Sequence, residues 1–230
     1  DVALKAGRPV DAEFLRPDAA ATAAQWSDAR FLKQMIARAN KNATAFDRFV
    51  TGPSYSRDDL EQELALRHLL DGKFADAAQL FAKGAASDKL GTDPFVANIV
   101  DCHDCDHATY ANAPWTHATM VARMAKLVKQ ANGKGQPAAE AALELGNAFY
   151  NVTWFGNARV VLDGTHQATR DTAAATRWYK RAYEQAKNRE FKAKAAFFAA
   201  KAERVDTAQL ELELGQKLAA LDELNRELGW

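Results

Sequence analysis

Apolar positions along the chain recur at steps of three and four, and no segment alternates with period two over a useful length. The pattern therefore predicts helices and no strand. Trp26, Phe31, Met35 and Ile36 form a stripe in a predicted helix over 18–39, and a short helix over 43–50 closes at the Gly52-Pro53 breaker. Ser56 then stands as an N-cap, with Asp58 and Asp59 in the first turn, where the helix dipole favours acids. That helix runs to about Leu70, and Gly72 separates it from one over 74–85. Asp93-Pro94 opens a short segment. Thr116, after Pro114, caps a helix that ends near Ala131. Two glycines mark the loop over 132–136, and Pro137 suits the start of a helix reaching Tyr150. A short helix over 154–162 and longer ones over 171–187, 190–204 and 207–228 complete the pattern. In the last of these, Leu210, Leu214, Leu218, Leu221, Leu224 and Leu228 share a face, as a docked terminal cap requires.

The helices also repeat a finer motif. Between Gly72 and Gly84, Ala77 and Gly84 are small where helices must approach, while Phe74 and Phe81 fill the space between them. Ala175, Tyr179 and Ala182 repeat the small–aromatic–small spacing. Leu145, Gly146 and Phe149, followed by Ala158, are similar to the first helix of such a unit. The chain thus resembles the tetratricopeptide family over degenerate units at 57–86 and 138–204. The resemblance implies an all-α fold, an antiparallel helix-pair solenoid with a C-terminal capping helix, and a scaffold that holds a protein or peptide segment. The expected organisation is a single helical-repeat domain over 1–230, the C-terminal part of a longer chain. Irregular N-terminal helices occupy 1–55, degenerate repeats 56–206 with a loop at 87–115, and the capping helix 207–230.

Composition adds exclusions. Alanine is abundant, and 48% of residues are apolar against 26% charged, which is ordinary for a globular chain. The formal net charge is zero, so no global electrostatic case exists for nucleic acid or an anionic membrane. No apolar stretch reaches the length of a membrane span. The stretch 177–204 is basic and 206–228 acidic; the spacing of Trp178, Tyr179, Phe191 and Phe197 makes these the solvated faces of neighbouring helices. No phosphate loop, zinc-protease motif or nucleophile elbow occurs. The chain is therefore expected to be non-enzymatic.

The densest chemistry lies at 101–107, which reads Asp-Cys-His-Asp-Cys-Asp-His and holds both cysteines. Cys102 and Cys105 form a C-x2-C pair, whose thiolates can converge on zinc or iron across a tight turn, with His103 or His107 completing the shell. A second ligand pair is missing, although His117 or His166 can fold back. Two other readings stand beside the metal. One is a Cys102–Cys105 disulfide, as an oxidising compartment allows; the other is a pair of reduced structural cysteines among hydrogen-bonded loop caps.

A narrower resemblance joins this cluster to Leu145 through Asn151 and to Phe155 through Arg159. Together they are similar to uncharacterised bacterial cell-envelope proteins in which a helical-repeat chain ends in such a module. That resemblance implies the bacterial periplasm or cell surface and names no reaction. Asn147 and Asn151 share a helix face beside Trp154, Asn157 and Arg159, and these five residues are candidates to bind the backbone of a partner segment. The competing reading is that the amides bridge helices within the core. The sequence thus leads to a non-catalytic interaction scaffold of the cell envelope. The alternative is a metal-binding or redox protein working through the Cys102–His107 cluster.

Overall fold

A computed structural model describes residues 2–15, 21–39, 55–82, 89–97, 113–167 and 170–204. Among these residues every regular element is helical, so the chain is all-α. The expected helix over 43–50, the cluster at 101–107 and the leucine-faced helix over 207–228 lie outside the described residues. Described residues within 1–93, 109–125 and 160–168 form one compact unit, and those within 94–108, 126–159 and 169–230 form a second.

The first unit contains α1 (Val2–Lys5), α2 (Pro9–Leu15), α3 (Ala23–Trp26), α4 (Ala29–Ala39), α5 (Arg57–Leu70) and α6 (Phe74–Phe81). The helix expected over 18–39 is interrupted at Ser27 and Asp28. Thr22 and Gln25 close a capping box that starts α3. Asp28 then accepts the Arg30 backbone N–H at 2.8 Å and restarts the helix as α4. That N–H, followed by the Arg30 guanidinium, holds the Asp28 carboxyl below its ordinary pKa. The sequence missed this break because the apolar stripe runs through it. The break brings Trp26 edge-on to Phe31, with ring centroids 5.6 Å apart. Both rings join Phe14, Leu32, Met35, Leu60 and Leu64 in one core.

Ser56 caps α5 by accepting the Asp59 N–H at 3.1 Å, as the sequence predicts. Gly72, at φ +74°, turns the chain into α6, and the two helices pack together. Ala77 and Phe81 are both buried. α7 (His117–Ala131) follows; Met120, Val121, Met124, Leu127 and Ala131 form its buried stripe.

His117 is held in the first unit against the Phe81 ring, and its Nε2 contacts the Val161 carbonyl at 3.0 Å. Burial pushes its pKa below the usual 6.5, and the Val161 contact only partly opposes this. Burial also lowers the pKa of His68, with Asp76 opposing. The unfolded chain therefore binds more protons than the fold once pH drops below about 6.5. The two imidazoles contribute full stability above that pH and lose it as pH falls through their lowered folded values. The urea midpoint should accordingly fall between pH 7 and pH 5. His117→Gln should flatten that fall; an unchanged pH profile would contradict the burial argument.

The second unit is built on α8 (Gln136–Asn151), α9 (Ala173–Gln185) and α10 over 189–204. Gly135, at φ +77°, ends the loop before α8. α8 buries residues on every face, from Ala138 and Ala142 to Leu145 and Phe149, as a central helix does. α9 packs along it. Ala175, Tyr179 and Ala182 are at most 2% exposed, in keeping with the small–aromatic–small motif. The Arg181 guanidinium donates to the Ala131 carbonyl at 3.0 Å, capping the end of α7. Thr172 donates to the Ala202 carbonyl at 2.9 Å, tying the start of α9 to α10. The short helix expected over 154–162 is reduced to a 3-10 turn at Arg159–Leu162. After α8 the chain doubles back: Ala158 N–H donates to the Asn151 carbonyl at 2.8 Å, and Gly156 packs directly on the Asn151 backbone.

Candidate binding site

The residues singled out from the sequence fall in different places. Cys102, His103, Cys105 and His107 lie outside the described residues. Among the described residues, no group of three or more His, Cys, Asp or Glu side chains is placed to hold a metal ion.

Asn147 and Asn151 are buried in the second unit. The Asn147 amide donates to the Phe95 carbonyl at 2.9 Å, and its Oδ1 accepts the Tyr179 hydroxyl at 3.1 Å. The Asn151 amide donates to the carbonyls of Pro94 and Val96, at 2.9 and 2.8 Å. These side chains do grip a backbone, but it is the chain's own turn at 94–96. Their spacing of one helical turn matches two successive stretches of that turn, and burial makes each bond expensive to leave unmade. Trp154 is 36% exposed, with the Arg159 and Arg170 guanidinium carbons 5.1 and 5.6 Å from its ring centre. Asn157 is half-buried in the turn between Trp154 and Arg159.

The first unit holds the arrangement the sequence did not reveal. Glu63, on α5, is only 7% exposed. Its Oε1 accepts the His166 backbone N–H at 2.8 Å and lies 3.2 Å from His166 Nδ1. Its Oε2 accepts the Gln167 amide at 2.7 Å. A carboxylate can only accept, so Nδ1 carries the proton in this contact. The His166 ring lies parallel to Trp26, 3.9 Å away and tilted by 6°. Tyr55 adjoins Trp26 and donates its hydroxyl to Glu13 at 2.5 Å. Glu13 is itself fully buried and also accepts the Ala21 N–H.

Local sequence explains how these parts meet. The break at Ser27 and Asp28 points Trp26 inward. The Ser56 cap sets the start of α5 immediately after Tyr55. Gly164, at φ +75°, turns the loop that presents His166 to Glu63. Between α3, the first turns of α5 and this loop lies a cavity of about 550 Å³. It is lined by Trp26 and Tyr55, by Asp59, Leu60, Gln62 and Glu63 of α5, and by residues 163–166.

No family model, curated protein or solved structure matches the chain. The cavity must therefore be judged on its own chemistry. Tyr55 and Thr165 both donate their hydroxyls to protein acceptors, the latter to the Leu162 carbonyl at 2.7 Å. Glu63 is occupied by three N–H contacts. These groups are fixed in place, which suits a rigid recognition surface more than a reacting centre.

Sequence reasoning missed this site for an identifiable reason. Glu63 belongs to no motif, and Trp26 reads as part of an ordinary apolar stripe. His166 drew notice only as a distant metal ligand. Glu63 stands three positions after Leu60 and three before Leu66, on the face those leucines bury, and this was the available signal, since an acid on a buried face needs donors from elsewhere.

Proposed function

We propose that this chain is a non-catalytic helical interaction module of the bacterial cell envelope, tetratricopeptide-like in its helix-pair units, which holds a protein or peptide segment in the cavity of its first unit. The observation that carries the reading is the cavity itself. Its volume of about 550 Å³ lies in the range of ligand-binding pockets, and its lining combines the rings of Trp26, Tyr55 and His166 with polar and acidic side chains. The envelope setting comes from the resemblance of the Cys102–His107 run and the Leu145–Arg159 segment. No described helix is long and apolar enough to cross a membrane.

The test is selection of displayed random peptides on the full chain, repeated on Gln62→Trp. Gln62 is half-buried and lines the cavity, so an indole there narrows and obstructs it without altering the buried core. Peptides that bind the native chain and are lost on Gln62→Trp support the reading. If no selected peptide depends on the cavity, the reading fails.

The alternative, a metal-binding or redox role for Cys102, His103, Cys105 and His107, rests on the density of ligand types in that run. Elemental analysis with thiol counting should find one zinc or iron per chain, or no titratable thiol before reduction. Two free thiols and no metal would remove both the metal and the disulfide.

A further inference from the structure

We infer that the cavity of the first unit recognises an arginine side chain of the bound segment. This rests on the reading that the cavity holds a peptide, and names the group it selects. Three lining residues, Asp59, Glu63 and Asp163, are carboxylic acids, and none of the described lining residues is Lys or Arg. Asp59, on α5, and Asp163, on the loop that follows Leu162, are both exposed, while Glu63 is buried. A recess lined by one sign of charge and backed by an apolar wall concentrates the opposite charge. The chain as a whole is neutral, so this imbalance is local.

The aromatic lining narrows the choice among cations. Tyr55 is half-buried, and the His166 side chain is 32% exposed in its stack on Trp26. A guanidinium is planar, stacks on such rings, and is less strongly hydrated than an ammonium group. It also presents five donors in a planar fork, suited to pairing with carboxylates. The Glu63 oxygens face His166 and Gln167, so the two aspartates supply the direct pairing and Glu63 holds the wall that places Asp163.

The probe is acetyl-Gly-Arg-Gly-amide, titrated into the full chain by calorimetry at low salt. Its citrulline analogue keeps the shape and removes the charge. The arginine peptide should bind at least about tenfold more tightly than the citrulline one, and raising salt to about 0.5 M should erase most of that difference. The double variant Asp59→Asn with Asp163→Asn should weaken the arginine peptide about tenfold and leave citrulline binding unchanged. Gln62→Trp should abolish binding of both.

Equal affinity for the two peptides, no binding of either, or binding unaffected by the aspartate changes would overturn the inference. The peptide selection separates this failure from failure of the broader reading. Cavity-dependent peptides that lack arginine leave the interaction module standing and remove arginine as its target. An absence of cavity-dependent peptides removes both.

Discussion

Gly146→Ala should destabilise the chain by about 2–3 kcal/mol, although alanine is the better helix former by about 1 kcal/mol. A Cβ at position 146 would lie 2.4 Å from Cδ1 and 2.5 Å from Cε1 of Tyr179, well inside contact distance. The ring cannot readily move aside. It is 2% exposed, its hydroxyl is bound to Asn147, and it stacks on Phe198 with centroids 5.4 Å apart. The added methyl therefore forces α8 and α9 apart or breaks the Tyr179–Asn147 bond. Urea unfolding gives the loss directly. Tyr179→Leu, which removes the ring edge, should be destabilising alone but should absorb most of the Gly146→Ala effect. The two changes should couple by about 1 kcal/mol or more. Additive effects, or a neutral Gly146→Ala, would mean that the helices are not in close contact there.

The pairing of Gly146 with Tyr179 shows what the sequence could convey. Small residues facing aromatic ones at helical spacing were readable as places of close approach, and Ala77 with Phe81, and Ala175 with Tyr179 and Ala182, are buried as that motif requires. Caps and breakers were readable for the same local reason: Ser56, Gly72, Gly135 and Pro137 mark helix ends without reference to tertiary contacts. The break at Ser27–Asp28 was not, because a continuing apolar stripe outweighs a capping box seen in isolation. Asn147 and Asn151 were recognisable as amides needing backbone partners. Which backbone they hold, the turn at 94–96, depends on contacts across more than fifty residues. The cavity belongs to the same class. Glu63 and His166 are separated by 103 positions, and no periodicity links them.

That long-range contact should be the most sensitive point of the candidate site. Glu63→Ala removes the acceptor for the His166 backbone N–H, for His166 Nδ1–H and for the Gln167 amide. Water can reach the half-exposed imidazole, but Gln167 is only 5% exposed, so its amide is left buried without that bond. A loss on the order of 3 kcal/mol is expected, from orphaned donors at about 1–3 kcal/mol each. Glu63→Gln should fall between the native chain and Glu63→Ala, because an amide keeps one acceptor oxygen and turns a donor toward the others. Arg57→Ala is the matched control on the same helix. It removes a pair with Glu61 in which the arginine side chain is 57% exposed, and should change stability by less than about 0.5 kcal/mol. A second readout tests position. With the His166 ring parallel to Trp26 at 3.9 Å, its carbon-bound protons should resonate upfield in the native chain. They should return toward ordinary shifts in Glu63→Ala once the 163–167 loop is released. Peptide binding should then be lost for arginine and citrulline probes alike, whereas the aspartate variants affect arginine alone. If Glu63→Ala is as mild as Arg57→Ala and the His166 resonances do not move, Glu63 is not what holds the wall of the cavity.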